Sequence, residues 1–316
     1  MKRYEKFVLQ ADKGITFEAS EGTSGELIIR ALNSTTANAC SPNISTANEY
    51  SANYANPPIP KGYKHICGEW NNGFVIERCS DGSQFVWIPV GSLEPNGTID
   101  GKNFSEKFGR RIYCEYDRFE NELAYLDDEV ANELWKYNEP LNSTLINQCG
   151  SVEKYGGFYI SRYNISQGSR SVKGAIPSVC IDFDLAWTWA REFELERSGA
   201  VQSHLPFGAE YDSVLEWLIK TKAKTLAEIT KDSTKWGHSY SPDRIVETGS
   251  REEWCANNIY DLAGNVMEWT QEQCGRTARV IRGGNYIMAY PPATRHSNPP
   301  SWKSSKLGFR VALWIE

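Results

Sequence analysis

The chain has 316 residues, enough to bury a large core as one big domain or two modest ones. Its net charge is −6 and no basic run exceeds a couple of residues, so the electrostatic footprint for nucleic acid is missing, and no apolar run reaches the roughly 18 residues of a membrane-spanning helix. Aromatics make up 12%, with 11 Trp and 16 Tyr, which suits a loop-rich β architecture or an interaction surface better than an ordinary helical enzyme.

The amino terminus, MKRYEKFVLQADKG, has early positive charges without the apolar stretch of a Sec signal, so no such signal is expected. Residues 1–60 read as a small β element, KFVLQADKGITFEA then GELIIRAL, followed by a linker rich in Asn, Ser, Thr, Ala and Pro. The main domain is expected over 61–316. It opens with GFVIERC and QFVWIPV, two β-branched and aromatic runs separated by Asp81-Gly82-Ser83, which predicts a hairpin. A charged, loop-like region follows over about 93–150, with one helical candidate at LDDEVANELWKY, and YGGFYISRYNIS then predicts a strand.

Two helices are well supported. In DLAWTWAREFELE, Asp184 can cap the start, and Ala186, Trp189, Ala190 and Phe193 fall at helical spacing. In EYDSVLEWLIK, Tyr211, Val214, Leu215, Leu218 and Ile219 repeat that spacing, and each helix is expected to lay one apolar face on a sheet. Residues 233–250 are polar and loop-like. Three short runs close the chain, NNIYDLAGNVMEWT, RVIRGG and GFRVALWI, and no internal repeat is visible.

The eight cysteines, Cys40, Cys67, Cys79, Cys114, Cys149, Cys180, Cys255 and Cys274, form no CxxC pair and are irregularly spaced. They are expected as reduced, mostly buried thiols. The histidines, His65, His204, His238 and His296, stand singly and read as structural or surface groups. The carboxylate clusters Asp127-Asp128-Glu129 and Glu192-x-Glu194-x-Glu196 read as solvated helix faces, and Gly-x-Ser-x-Gly, Walker and dinucleotide signatures are missing. No catalytic constellation emerges.

Three blocks in order, NIYDLAGNVMEWT (Asn258 to Thr270), RVIRGGNY (Arg279 to Tyr286) and LGFRVAL (Leu307 to Leu313), resemble the formylglycine-generating-enzyme-like, or sulfatase-modifying factor, domain. GGFYISRYN and HLPFGAEYDSVLEWL look like weaker versions of that family's upstream blocks, so the resemblance covers roughly 62–316. It implies a C-type lectin-like α+β fold, with two helices, small antiparallel sheets and long loops, and a last strand that returns beside the first. The residues agree: Gly283-Gly284 suits a sharp exit from a sheet, Glu268 and Trp269 suit loop anchors, and Phe309 and Val311 alternate with Arg310 and Ala312 as in one two-faced strand.

The enzymes of this family carry a cysteine pair just after the Gly-Gly, which binds copper as thiolates. Here that window reads NYIMAYPPATRHSN and holds no cysteine, so the resemblance does not carry that activity, and no cofactor is required. The loop matching DLAGNVME holds a structural calcium in relatives; carried across, this would use the Asp261 and Glu268 side chains with the Gly264 and Val266 carbonyls. Equally, Asp261 could cap a turn and Glu268 bond backbone amides without metal.

The chain also resembles the variable proteins of diversity-generating retroelements, which end in this domain with a hypermutated segment. There, randomised Asn codons reach many residues but never Trp, Lys, Met, Glu or Gln. Within 284–306, the residues Tyr286, Ile287, Ala289, Tyr290, Pro291, Pro292, Thr294, Arg295, His296 and Asn298 use only the reachable set, and Met288, Trp302, Lys303 and Lys306 would be fixed scaffold. The resemblance thus implies a non-enzymatic binding protein with those ten residues as its ligand surface. It would be displayed on a phage tail or bacterial surface, where it would recognise a protein or carbohydrate on a target cell and could homo-oligomerise; membrane insertion and nucleic acid are not expected. An undiversified prophage structural or carbohydrate-binding protein, and a formylglycine-enzyme-like oxidoreductase, are the alternatives.

Overall fold

The computed structural model describes residues 8–10, 16–21, 27–31, 57–90, 92–93, 99–100, 143–194, 200–238, 244–274 and 277–316. The helical candidate at 126–137 and the cluster Asp127-Asp128-Glu129 lie outside them. The chain divides into two compact units, Met1–Asn43 and Ile44–Glu316. In the first, β1 (Val8–Gln10), β2 (Thr16–Glu21) and β3 (Leu27–Ala31) form an antiparallel meander in that order.

The second unit begins with β4 (Tyr63–Cys67), β5 (Val75–Arg78) and β6 (Gln84–Pro89). The β5–β6 hairpin turns where Asp81-Gly82-Ser83 predicts: the Gly82 N–H donates to the Arg78 carbonyl at 2.9 Å, and the Asp81 carboxylate accepts from the Ser83 N–H at 3.0 Å. Next come the short pair β7 (Ser92–Leu93) and β8 (Ile99–Asp100), then α1 (Ser143–Tyr155), β9 (Gly157–Ser161), α2 (Phe183–Glu192), β10 (Val201–His204), α3 (Gly208–Lys220) and α4 (Leu226–Thr230). The chain finishes with β11 (Cys255–Ala256), β12 (Ile259–Tyr260), β13 (Met267–Cys274), β14 (Ala278–Arg282), β15 (Arg295–Asn298), β16 (Leu307–Phe309) and β17 (Ala312–Ile315).

Two sheets organise this unit. The larger runs β10-β17-β9-β6-β5-β4, antiparallel throughout, and the smaller runs β15-β14-β13-β16 with β13 and β16 parallel. The central strands β6 and β9 of the larger sheet are buried on both faces, which is why QFVWIPV reads as an almost unbroken apolar run. Val86 and Ile88 of β6 point to one core with Phe158, Ile160 and α3, whereas Phe85 and Trp87 point to a second with α2, Trp269, Ile281 and Phe309.

Several expectations are corrected. The last strand, β17, lies between β10 and β9, while β4, the first strand of this unit, sits at the far edge. Leu307–Leu313 is not one strand: β16 pairs with β13 in the small sheet, β17 pairs with β9 and β10 in the large one, and Arg310 and Val311 carry the chain between them. All seven residues are buried. The cap of α2 is Asp182, whose carboxylate accepts from the Leu185 N–H at 2.9 Å; Asp184 sits exposed in the first turn. Helix α1 falls within the region expected as loop, because Ser, Thr, Asn and an interior Gly150 weaken its helical signal while Leu145, Gln148 and Val152 bury its inner face.

Helix α3 is buried all round from Gly208 to Leu218 instead of along one face, so Glu210, Asp212 and Glu216 are carried inside. Glu194 is likewise not solvated: it is 2% exposed and accepts from the Tyr63 hydroxyl at 2.5 Å and from Arg78. Among the described cysteines, Cys67, Cys149, Cys180, Cys255 and Cys274 are not in a disulfide and none is fully buried, whereas Cys79 is disulfide-bonded.

Candidate functional site

After β14 the chain leaves the small sheet at Gly283, whose φ of +73° is a conformation L side chains rarely adopt. Gly284 follows with no room for a side chain, since a Cβ there would lie 2.6 Å from the Met288 carbonyl oxygen and 2.7 Å from that of Tyr290. The two glycines let the loop fold back on its own root. Asn285 then closes a tight turn: its N–H donates to the Met288 carbonyl at 2.9 Å, its carbonyl accepts from the Met288 N–H at 3.0 Å, and its side-chain oxygen accepts from the Ile287 and Met288 N–H groups. The Tyr286 N–H donates to the Asn265 carbonyl, which ties the turn to the loop before β13.

Ile287 and Met288 stand at the tip, 36% and 43% exposed, among the few large exposed apolar side chains of the described residues. Tyr290 is half-buried beside them, its ring edge-on to His296 at 4.3 Å. The loop re-enters the body through Pro291, Pro292, Ala293 and Thr294, all buried, and continues as the edge strand β15.

Below the loop lies a ring of charges. Arg282 donates to Asp212 at 2.7 Å and faces Glu272 at 3.5 Å; Arg295 donates to Glu272 at 2.9 Å and to the other oxygen of Asp212. Opposite charges alternate around the four residues, joining α3, β13, β14 and β15, and Arg282 also lies over the Tyr211 ring at 4.7 Å. The desolvation of the buried Arg282 guanidinium, the mostly buried Arg295 and two buried carboxylates is tolerated because each has opposite partners.

The ten residues expected on the ligand surface therefore divide. Ile287 is exposed, and Ala289, Tyr290, His296 and Asn298 are partly so. Tyr286, Pro291, Pro292 and Thr294 are buried, and Arg295 is held in the ionic ring. Met288, expected as scaffold, is the more exposed residue of the tip. Codon reachability carries no information on burial. The signal that locates the turn is the Gly-Gly-Asn sequence, since Asn after a glycine pair favours a side-chain-capped turn. The Arg-His-Ser-Asn strand has no apolar alternation to reveal it.

A second cluster surrounds the loop matching DLAGNVME. Glu268, 2% exposed, accepts from the Arg310 Nε at 2.7 Å and the Asn164 amide at 2.8 Å, so its partners are side chains and not the backbone amides that a metal-free loop was expected to supply. Asp261, fully buried, accepts from the Gly249 N–H at 2.8 Å. Burial pushes the Asp261 carboxyl up to about 6 and raises Glu268 too, in both cases against the pull of Arg310. One oxygen each of Asp261, Glu268 and Asn164 has no hydrogen-bond donor. Two buried carboxylates against one guanidinium leave negative charge uncompensated, and donor-free oxygens are what a hard cation takes as ligands, so these residues fit calcium. Asp261 and Glu268 would hold it through their side chains, with the Gly264 and Val266 carbonyls, and it would pin the 261–268 loop.

The described residues thus form an α+β domain with a braced loop projecting from a small sheet. Residues 177–315 match the family model of the sulfatase-modifying factor enzyme 1-like domain, a span that contains all three motif blocks. No curated protein matches the chain. Among solved structures, PvdO from Pseudomonas aeruginosa is similar at 18% identity, with 76% of this chain and 98% of that chain covered and a TM-score of 0.47. The crystal structure of CarF is similar at 15% identity (51% and 87% covered, TM-score 0.38) and Treponema denticola variable protein 1 at 17% (50% and 84%, TM-score 0.35). At these values the likeness carries no function.

Proposed function

We propose that the protein is a non-enzymatic binding module whose ligand face is the turn tip Ile287–Tyr290 with His296 and Asn298 of the adjoining edge strand, and that this face is diversified by a retroelement. The observation that carries the reading is the braced turn. Residues 283–286 fix the backbone, residues 291–295 are buried or ion-paired, and the side chains between them reach solvent and can change without disturbing the core. The same window, which holds a cysteine pair in the oxidases of the resembled family, holds none here. Display on a phage tail or bacterial surface follows from this reading, with a protein or carbohydrate of a target cell as partner.

Sequences of this protein from sibling genomes test the proposal. Differences concentrated at 287, 289, 290, 296 and 298, with Met288, 283–286 and 291–295 unchanged, together with a neighbouring reverse transcriptase and a near-copy of the 3′ coding segment, are expected. Differences spread evenly over the domain, with neither element nearby, would overturn diversification. Metal-dependent oxygen uptake on cysteine-containing peptides would overturn the non-enzymatic reading.

A further inference from the structure

Asn265 lies in the 261–268 loop between Gly264 and Val266, whose carbonyls would complete the calcium site. It is buried, with a φ of +56° in the left-handed region, and all four of its hydrogen-bonding groups are used. Its N–H donates to the His238 carbonyl at 3.0 Å. Its side-chain oxygen accepts from the Val246 N–H at 3.1 Å and its side-chain amide donates to the Val246 carbonyl at 3.2 Å. Its own carbonyl accepts from the Tyr286 N–H at 3.0 Å, and Tyr286 is the second residue of the braced turn.

Three successive peptide planes therefore have separate anchors. The plane of the Gly264 carbonyl contains the Asn265 N–H and is held at His238; the plane of the Val266 carbonyl contains the Met267 N–H, which donates to the Lys306 carbonyl at 2.8 Å; the plane between them is held by Tyr286. A cation drawing in the two outer carbonyls fixes both neighbours of the middle plane, and so fixes the acceptor of the Tyr286 N–H. Without a cation, Asp261 and Glu268 keep one donor-free oxygen each, with Arg310 beside them, and their uncompensated charge favours movement of the loop toward water. Resting on the calcium site and the binding role proposed above, we infer that Asn265 couples the two. A divalent cation in the 261–268 loop orders the turn Asn285–Met288, and a partner gripped by the turn tightens the cation by the same factor.

The full-length chain and calcium alone test this, without any partner. Amide hydrogen exchange at Tyr286 is compared in chelator and in calcium. It is expected to slow at least about fivefold on calcium addition, while remaining faster than exchange in β6, which reports global unfolding. In calorimetric titrations, Asn285→Ala removes the side-chain brace of the turn and alters no candidate calcium ligand, yet should weaken calcium at least about fivefold. Asn265→Gly keeps the left-handed backbone but releases Val246, and should weaken it too. Ile146→Ala, on the exposed face of α1, should leave calcium affinity unchanged. A Tyr286 amide indifferent to calcium, or one exchanging in step with β6 in both conditions, would overturn the coupling. So would a calcium affinity indifferent to Asn285→Ala, or no calcium binding at all. If Asn285→Ala does not fold, exchange in the wild type decides alone. Each of these failures leaves the binding role standing, to be judged by the sibling sequences.

Discussion

Arg282 and Asp212 meet at 2.7 Å with neither side chain reaching solvent, one the last residue of a strand and the other within a helix 70 residues earlier. Their contact fixes the root of the projecting loop, because Gly283 follows Arg282 directly. Arg295 closes the same ring from the strand that ends the loop, so both ends of the exposed segment are clamped to one carboxylate.

Breaking that clamp should cost stability in a graded way. Arg282→Ala leaves Asp212 and Glu272 buried with a single cation between them and should cost about 3–5 kcal/mol. Arg295→Ala should cost less, because the Arg295 side chain is 12% exposed and water can reach the gap. Urea unfolding of both variants measures the order; equal losses would mean that Arg295 is as inaccessible as Arg282.

Positions within the loop should separate by burial. Substitutions at Ile287, Met288 or Ala289 should change stability by under about 0.5 kcal/mol each, as surface changes do. Tyr286→Ala should cost several times more, and Trp269→Ala or Phe309→Ala about 3–5 kcal/mol through the cavities they leave. Thermal scans of this series distinguish a presented tip from a buried root.

Calcium should stabilise the protein. A ligand that binds only the folded state at a hundredfold excess over its Kd adds about 2.7 kcal/mol, read as a rise in melting temperature that a chelator reverses. Asp261→Asn and Glu268→Gln should abolish the rise. An unchanged melting temperature over a millimolar titration would show that Arg310 alone balances the two carboxylates.

Without calcium, stability should fall as pH rises. Burial holds the Asp261 carboxyl at about 6 against an ordinary value of 3.8, so between these values the folded chain retains a proton that the unfolded chain has released. The resulting stabilisation is full below about pH 4 and lost as pH rises through about 6, and Glu268, also raised, acts in the same direction. Unfolding free energies at about pH 5 and about pH 7.5 should differ by about 1–2 kcal/mol, and Asp261→Asn should flatten the difference. Calcium should reverse the slope, since it favours the charged carboxylates.

Much of the domain is determined by the sequence. The β5–β6 hairpin is written in two apolar runs around Asp81-Gly82-Ser83, α2 and α3 in apolar spacing, and the loop root in Gly283-Gly284, because these rest on local backbone preferences and periodicity that need no distant partner. The tertiary structure alone decides the rest. Leu307–Leu313 reads as one strand, yet two sheets compete for it and the chain divides at Arg310, whose guanidinium donates to Glu268 and to the Tyr260, Ser161 and Arg162 carbonyls. Asp212 looks like a surface residue of an amphipathic helix until two arginines from the far end of the chain enclose it. Which side chains of the irregular segment face solvent is likewise fixed by long-range contacts, since burial depends on what packs above a residue and not on the residue itself.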